Sequence, residues 1–233
     1  MLVPHKTLDK EFLSLAEAEG VADIEELNKI LERAVNLKNF LKGKERIQQV
    51  AKFVADHYRE NVEPLGYKAF LVGVDREACA HYKHALDQFL PPEYSEVVYT
   101  GSNNDSALLK EFHLDPKKER QIRKSFGKLD QQPKILIVTE KLLTGFDEPT
   151  LHTLFIDRGM DDVLLFQAAC RVNRWRKWKN DCLLVDFSHE GVVSKNLPKV
   201  FAKYGGITVS DLDAMNLKEK MDKAFKVFFD LSA

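Results

Sequence analysis

In the stretch FQAACRVNRWRKWK, Gln167, Arg171 and Arg174 fall at steps of four and three, a spacing that predicts one shared helical face. An amide and two guanidiniums aimed the same way suit a polyanion, because each planar guanidinium grips phosphate through two parallel hydrogen bonds. The surrounding Val163, Leu164, Leu165, Phe166, Ala168, Ala169, Cys170 and Val172 are apolar or thiol-bearing. The cations are therefore expected on a mostly buried element, where they cost desolvation unless an anion compensates. A phosphate would compensate, and so would an ion pair with Asp147 or Asp157.

A second group follows the apolar run KILIV. In TEKLLTGFDEP, Gly145 permits a backbone conformation or a close approach that a side chain would block, and Asp147 can accept hydrogen bonds, for instance from a ribose hydroxyl. A turn glycine followed by a capping aspartate gives the same letters. Thr139 stands directly after that run, and Thr100-Gly101 directly after SEVVY. Each can present a hydroxyl or an amide to phosphate, or simply close a turn.

Other chemistries find little support. His5, His57, His81, His84, His113, His152 and His189 show no HExxH or similar metal spacing. Cys79, Cys170 and Cys182 are odd in number and lack CxxC spacing, which argues against a zinc site or a disulfide framework and points to a reducing compartment. Asp161-Asp162 reads as a helix cap. Trp175, Arg176, Lys177, Trp178 and Lys179 interleave aromatics with cations, which allows stacking on bases but fits better tryptophans packed against the sheet edge or a neighbouring domain beside solvated cations.

The positioning elements are five short apolar runs, at 68–74, 95–101, 134–140, 151–157 and 181–187. Several alternate with helical segments, including REACAHYKHALDQFL and one near ERQIRKSFGKL. That alternation predicts a doubly wound α/β domain over residues 64–190, its parallel sheet covered on both faces, with ligands gathered at the carboxyl ends of the strands. Residues 1–63 read as an N-terminal helical segment or linker, broken near Gly43, and 191–233 as a C-terminal helical extension ending in KEKMDKAFKVFFDL. The 35 basic and 36 acidic residues nearly cancel, so any basic surface is local, as at 171–179. No apolar run approaches the roughly 18 residues of a membrane span, and the N-terminus lacks a signal-peptide profile. No membrane partner and a cytoplasmic location are expected.

Thr139 followed by Thr144-Gly145-Phe146-Asp147, and then Gln167-x-x-x-Arg171-x-x-Arg174, resembles motifs V and VI of superfamily 2 helicases. KAFLVGVDREACAHYKHAL fits motif IV, and VVYTG the motif after it. The wording KILIVTEKLLTGFDEPTLHTLFIDR, LLFQAACRVNR and LLVDF is most similar to the second motor domain of the restriction (motor) subunit of type I restriction enzymes, over about residues 64–190. Two positions depart from the pattern. Ala168 stands where many members carry arginine, implying fewer charged contacts, and Cys170 stands where many carry glycine.

The resemblance implies a RecA-like, three-layer α/β fold with flanking helices, acting on double-stranded DNA with ATP and Mg²⁺ in a longer parent. It implies that Arg174 is an arginine finger, that Arg171 contacts the phosphates, and that Gln167 orients them. Gly145 and Asp147 would approach the nucleotide, with the aspartate near the ribose. Thr100, Gly101 and Thr139 would touch the nucleic-acid backbone. The implied partners are a first RecA-like lobe and methylation and specificity subunits.

A phosphate-cradling GxxxxGK[ST] loop is absent from the sequence. Gly43-Lys44 and Gly127-Lys128 are followed by Glu45 and Leu129, and Asp147-Glu148-Pro149-Thr150 follows LLTGF rather than an unbroken strand. No Mg²⁺-holding acidic pair stands at a strand end either. The chain reads as half of a two-lobe ATP site, inactive alone as an ATPase or nuclease. Another superfamily 2 helicase lobe, or an idle docking module with the same fold, are the alternatives.

Overall fold

The computed structural model describes residues 39–143, 145–174, 177, 179, 181–188 and 191–204. The chain divides into two units, 1–43 and 44–233. In the first, residues 39–41 are helical, and the Gly43 amide closes a turn on the Phe40 carbonyl at 3.0 Å. The helices expected over 23–38 and after 205 lie outside the described residues.

The second unit carries a sheet of five strands: β1 (Lys68–Gly73), β2 (Ser95–Val98), β3 (Ile135–Val138), β4 (Leu151–Asp157) and β5 (Leu183–Asp186). Their order is β2-β3-β1-β4-β5 and every pairing is parallel. The apolar runs of the sequence thus become strands, trimmed at several ends. Residues on β1, β3 and β4 are buried without alternation, as both faces are covered.

Successive side chains point to opposite faces and sort into two cores. One gathers Ala69, Leu71, Val97, Ile135, Ile137, Phe155 and Val185 against α1 (Lys44–His57) and α2 (Arg76–Leu86). The other gathers Phe70, Val72, Val98, Leu136, Val138, Leu154 and Ile156 against α4 (Pro116–Phe126), α5 (Asp162–Val172) and α6 (Val192–Tyr204). The short α3 (Ala107–Glu111) lies between β2 and α4 in the chain. Three layers result, helices on both sides of one parallel sheet.

Local chemistry starts the helices, at Asp161 where the sequence reads a cap and also at Asp75 and Asp115. Asp75 accepts from the Ala78 amide, Asp115 from the amides of Lys117 and Lys118, and Asp161 from that of Leu164, each at 2.8 Å. Pro116 opens α4, where its missing N–H is no loss.

Packing carries this unit well upstream of residue 64. Ile47, Val50, Ala51, Val54 and Ala55 of α1 are buried in the first core, and Val193, Leu197 and Val200 of α6 in the second. Helical periodicity reveals an apolar face but not the surface it will cover, so these two helices read as flanking segments until packed.

Candidate functional site

The chain passes from β4 through α5 to the parallel, adjacent β5, so α5 must run back from the carboxyl edge of the sheet to its amino edge. Its last turn therefore delivers Arg171 to the amino edge. The helix stops at Val172, with Asn173 capping at φ −86° and ψ 28°, and Arg174 lies just past its end. The single helical face expected for Gln167, Arg171 and Arg174 is thus realised by the first two alone. The stop has a physical reason: the Lys179 ammonium returns to bond the carbonyls of Val172 and Leu151, satisfying a last-turn acceptor and tying the helix end to the start of β4.

The loop after β3 comes to the same place. Arg171 Nε donates to the Leu143 carbonyl at 3.3 Å, and Arg174 Nε lies 3.5 Å from Asp147 Oδ1. Gly145 has φ +71°, and a Cβ there would meet nothing within 4 Å. Its backbone conformation, not a crowded approach, calls for glycine in this structure. Leu142 also sits at positive φ, +73°, held there by a side chain only 5% exposed. A bulky residue in this region is strained, and the strain falls one residue before the carbonyl that receives Arg171. Thr144 lies outside the described residues.

Exposure corrects one expectation. Gln167 is exposed and Arg171 half-buried, and the side chains of Arg174 and Asp147 are 46% and 67% exposed. These cations do not carry the desolvation cost that an apolar neighbourhood implied, because Leu165, Ala168, Ala169 and Val172 take the buried face of α5. Burial pushes the Cys170 thiol up, against the opposing pull of Arg174 and Arg171, so it stays protonated beside them.

Thr100, Gly101 and Thr139 stand elsewhere, directly after β2 and β3 on the carboxyl edge. A strand of four to seven residues separates the two edges by roughly 13–23 Å. The expected residues therefore fall into two groups: Arg171, Arg174 and the loop carrying Gly145 and Asp147 at one edge, with Gln167 one turn back along α5, and the threonines with Gly101 at the other.

Asp157 does not pair with the α5 arginines. It receives Arg46 of α1 and the hydroxyl of Tyr82. Lys179, expected among solvated cations, is half-buried and hydrogen-bonded, while Trp175, Arg176 and Trp178 lie outside the described residues. Reading by motif also missed Asp105, which gathers Arg76 and His113 beside Thr100. The available signal was an aspartate in a polar stretch followed eight residues later by a histidine, too common to stand out.

Among the described residues no group of three or more His, Cys, Asp and Glu side chains could hold a metal ion, and no helix is long and apolar enough to cross a membrane. The amino-edge site offers guanidinium and amide donors to an anion and one carboxylate acceptor.

A family model described as type I restriction enzyme subunit R domain 3 matches residues 19–189. The chain is 33% identical over 191 residues to a Methanocaldococcus jannaschii protein named for the MjaVIIIP type I restriction enzyme endonuclease subunit, covering 73% of this chain and 18% of that one. It is 28% identical over 162 residues to the HindI type I restriction enzyme endonuclease subunit of Haemophilus influenzae, covering 64% and 15%. A fragment structure of an HsdR subunit of a type I restriction enzyme from Vibrio vulnificus YJ016 superposes with a TM-score of 0.54 at 20% identity, over 77% of this chain and 31% of that one. The RecA-like α/β fold is the one expected. The chain spans less than a quarter of the length of the curated relatives it matches.

Proposed function

The chain belongs to the type I restriction enzyme subunit R domain 3 family, and from that premise we propose that it is the second motor lobe of an ATP-dependent, DNA-translocating restriction subunit. The observation that carries this reading is the meeting of two separate segments at the amino edge, with Arg171 on the Leu143 carbonyl and Arg174 beside Asp147.

In this reading the lobe completes an ATP site whose phosphate loop and Mg²⁺ ligands belong to a first RecA-like lobe of the parent. Arg174 is the arginine finger. Its half-exposed guanidinium is able to leave a solvent-screened carboxylate for a phosphoryl oxygen at small cost, and such fingers contribute about three to five orders of magnitude in rate. Arg171, steadied at Nε, keeps its terminal nitrogens for phosphate, and Gln167 orients the same group. Asp147 accepts from the ribose, and the left-handed Gly145 shapes the loop that presents it. Bound Mg²⁺-ATP supplies the phosphoryl group and the charge these residues meet.

At the carboxyl edge, Thr100, Gly101 and Thr139 hold the sugar-phosphate backbone of double-stranded DNA, where sequence-independent contacts suit a moving motor. Methylation and specificity subunits complete the assembly, which works in the cytoplasm. The isolated chain is inactive as ATPase and nuclease.

The test is ATP turnover, with and without duplex DNA, in the longest native protein containing this chain. Arg174→Ala should lower the rate by about two orders of magnitude or more with nucleotide binding retained. Unchanged turnover would leave a docking module with an idle site as the better account.

A further inference from the structure

Between β2 and α3 the chain makes a loop in which residues 100–104 are exposed. Asp105 is the exception, its side chain 4% exposed. One of its oxygens, Oδ2, receives three donors from three places: the Ser102 amide at 2.8 Å, Arg76 Nη1 from the start of α2 at 2.7 Å, and His113 Nε2 from beyond α3 at 2.8 Å. The same Arg76 nitrogen reaches the Thr100 carbonyl at 3.2 Å, and its guanidinium lies 5.8 Å from the Tyr99 ring centroid. Tyr99 donates its hydroxyl to the Leu109 carbonyl at 2.7 Å.

Gly101 belongs to this arrangement. A Cβ there would stand 2.8 Å from His113 Nε2, so the absence of a side chain lets the imidazole lie against the backbone. Burial raises the Asp105 carboxyl, but the Ser102 amide, His113 and Arg76 outweigh it and hold the group below the ordinary carboxylate range. The acid is ionised at neutral pH and can only accept, which makes His113 Nε2 a donor.

We propose that Asp105, with Arg76 and His113, is the brace that positions the Thr100–Gly101 loop for contact with a nucleic-acid backbone. The inference rests on reading Thr100 and Gly101 as backbone contacts. Asp105 is a positioning residue, since its carboxylate is turned inward and repels phosphate. Ordering a loop costs backbone conformational entropy at every residue fixed. A loop already ordered by three part-buried hydrogen bonds does not bear that cost again on binding.

The sign of the effect separates this role from a purely electrostatic one. Removing a negative charge beside a DNA contact strengthens binding if charge alone matters, whereas loss of the brace weakens it. In the longest native protein containing this chain, ATP turnover is measured against duplex DNA concentration for the parent, Asp105→Asn, His113→Ala and Thr100→Ala. The brace predicts that half-saturating DNA rises about fivefold or more in both Asp105→Asn and His113→Ala, while the rate at saturating DNA stays within about twofold. The His113 side chain is 32% exposed, so its removal tests the brace even if Asp105→Asn fails to fold. Unchanged or tighter half-saturation in the folded variants overturns the proposal. If Thr100→Ala alone shifts, the brace fails and the contact stands; if none shifts, the nucleic-acid reading of the loop fails with it.

Discussion

Arg46 grips Asp157 with both terminal nitrogens, Nη1 on Oδ2 at 2.8 Å and Nη2 on Oδ1 at 2.5 Å, across 111 positions of sequence. The same Nη2 reaches the Phe187 carbonyl at 2.6 Å, and Tyr82 donates its hydroxyl to the same carboxylate. Asp157 is fully buried. This cluster ties α1, α2, the end of β4 and the residue after β5 at one point on the carboxyl edge. It makes α1 a structural part of the lobe.

Removing one partner of a buried ion pair leaves an uncompensated charge and costs about 3–5 kcal/mol. Arg46→Ala is therefore expected to lower the unfolding free energy by that amount, and Tyr82→Phe by about 1.5–3 kcal/mol, the range for a hydrogen bond to a charged group. Urea denaturation followed by circular dichroism measures both. A loss below about 1 kcal/mol for Arg46→Ala would mean that α1 is not anchored through this pair.

Lys68 begins β1 with its ammonium on the carbonyls of Pro133, at 2.9 Å, and Gln131, and the residue is fully buried. Burial, aided by neighbouring Lys134, pushes its pKa down to about 8, against about 10.4 for an unfolded lysine. Between those values the unfolded chain holds a proton that the folded one lacks, so stability rises with pH from about 8 to about 10. Below 8 the cost of burying the charge is fully present. Lys68→Met should abolish that rise. Denaturation midpoints that change in parallel for both proteins across this range would contradict the assignment.

The strands were legible because a parallel sheet covered on both faces needs continuous apolar runs, and KAFLVG, ILIV and LHTLFID are such runs. The caps were legible because Asp161 acts locally, three residues from its donor. What the letters could not carry were partners distant in sequence. Nothing near Arg46 names Asp157. Nothing near Val172 announces that Lys179 will return to end the helix and leave Arg174 beyond it. The spacing of Gln167 and Arg171 put both on α5 while Arg174 fell past its end, and their exposure depended on which face of α5 the second core covers.

Gly145 offers a test of backbone against space. With φ +71° and an empty Cβ position, Gly145→Ala should cost about 1–2 kcal/mol through the left-handed conformation alone. Gly145→Asn should cost less, because asparagine tolerates that region. Thermal unfolding should therefore rank glycine above asparagine above alanine. Equal loss for both variants would point to crowding instead, and the open geometry of this loop would then be wrong.

Arg171 and Arg174 should separate in stability while agreeing in rate. Arg171 is half-buried and donates to the Leu143 carbonyl, so Arg171→Ala should cost about 1 kcal/mol from the lost bond. Arg174 pairs with an exposed carboxylate at 3.5 Å, a contact worth less than about 1 kcal/mol, and Arg174→Ala should barely move the melting temperature. If both serve the phosphates in the parent, both alanine variants should reduce ATP turnover by about a hundredfold or more. Arg171→Lys sharpens the comparison: lysine carries one ammonium, which cannot hold the Leu143 carbonyl and a phosphate in the fixed geometry of a guanidinium. It should stay close to alanine in rate. Recovery of turnover with lysine would show that charge at this position suffices, and a stability loss at Arg174 as large as at Arg171, with turnover kept, would make both arginines struts of the loop rather than ligands of the nucleotide.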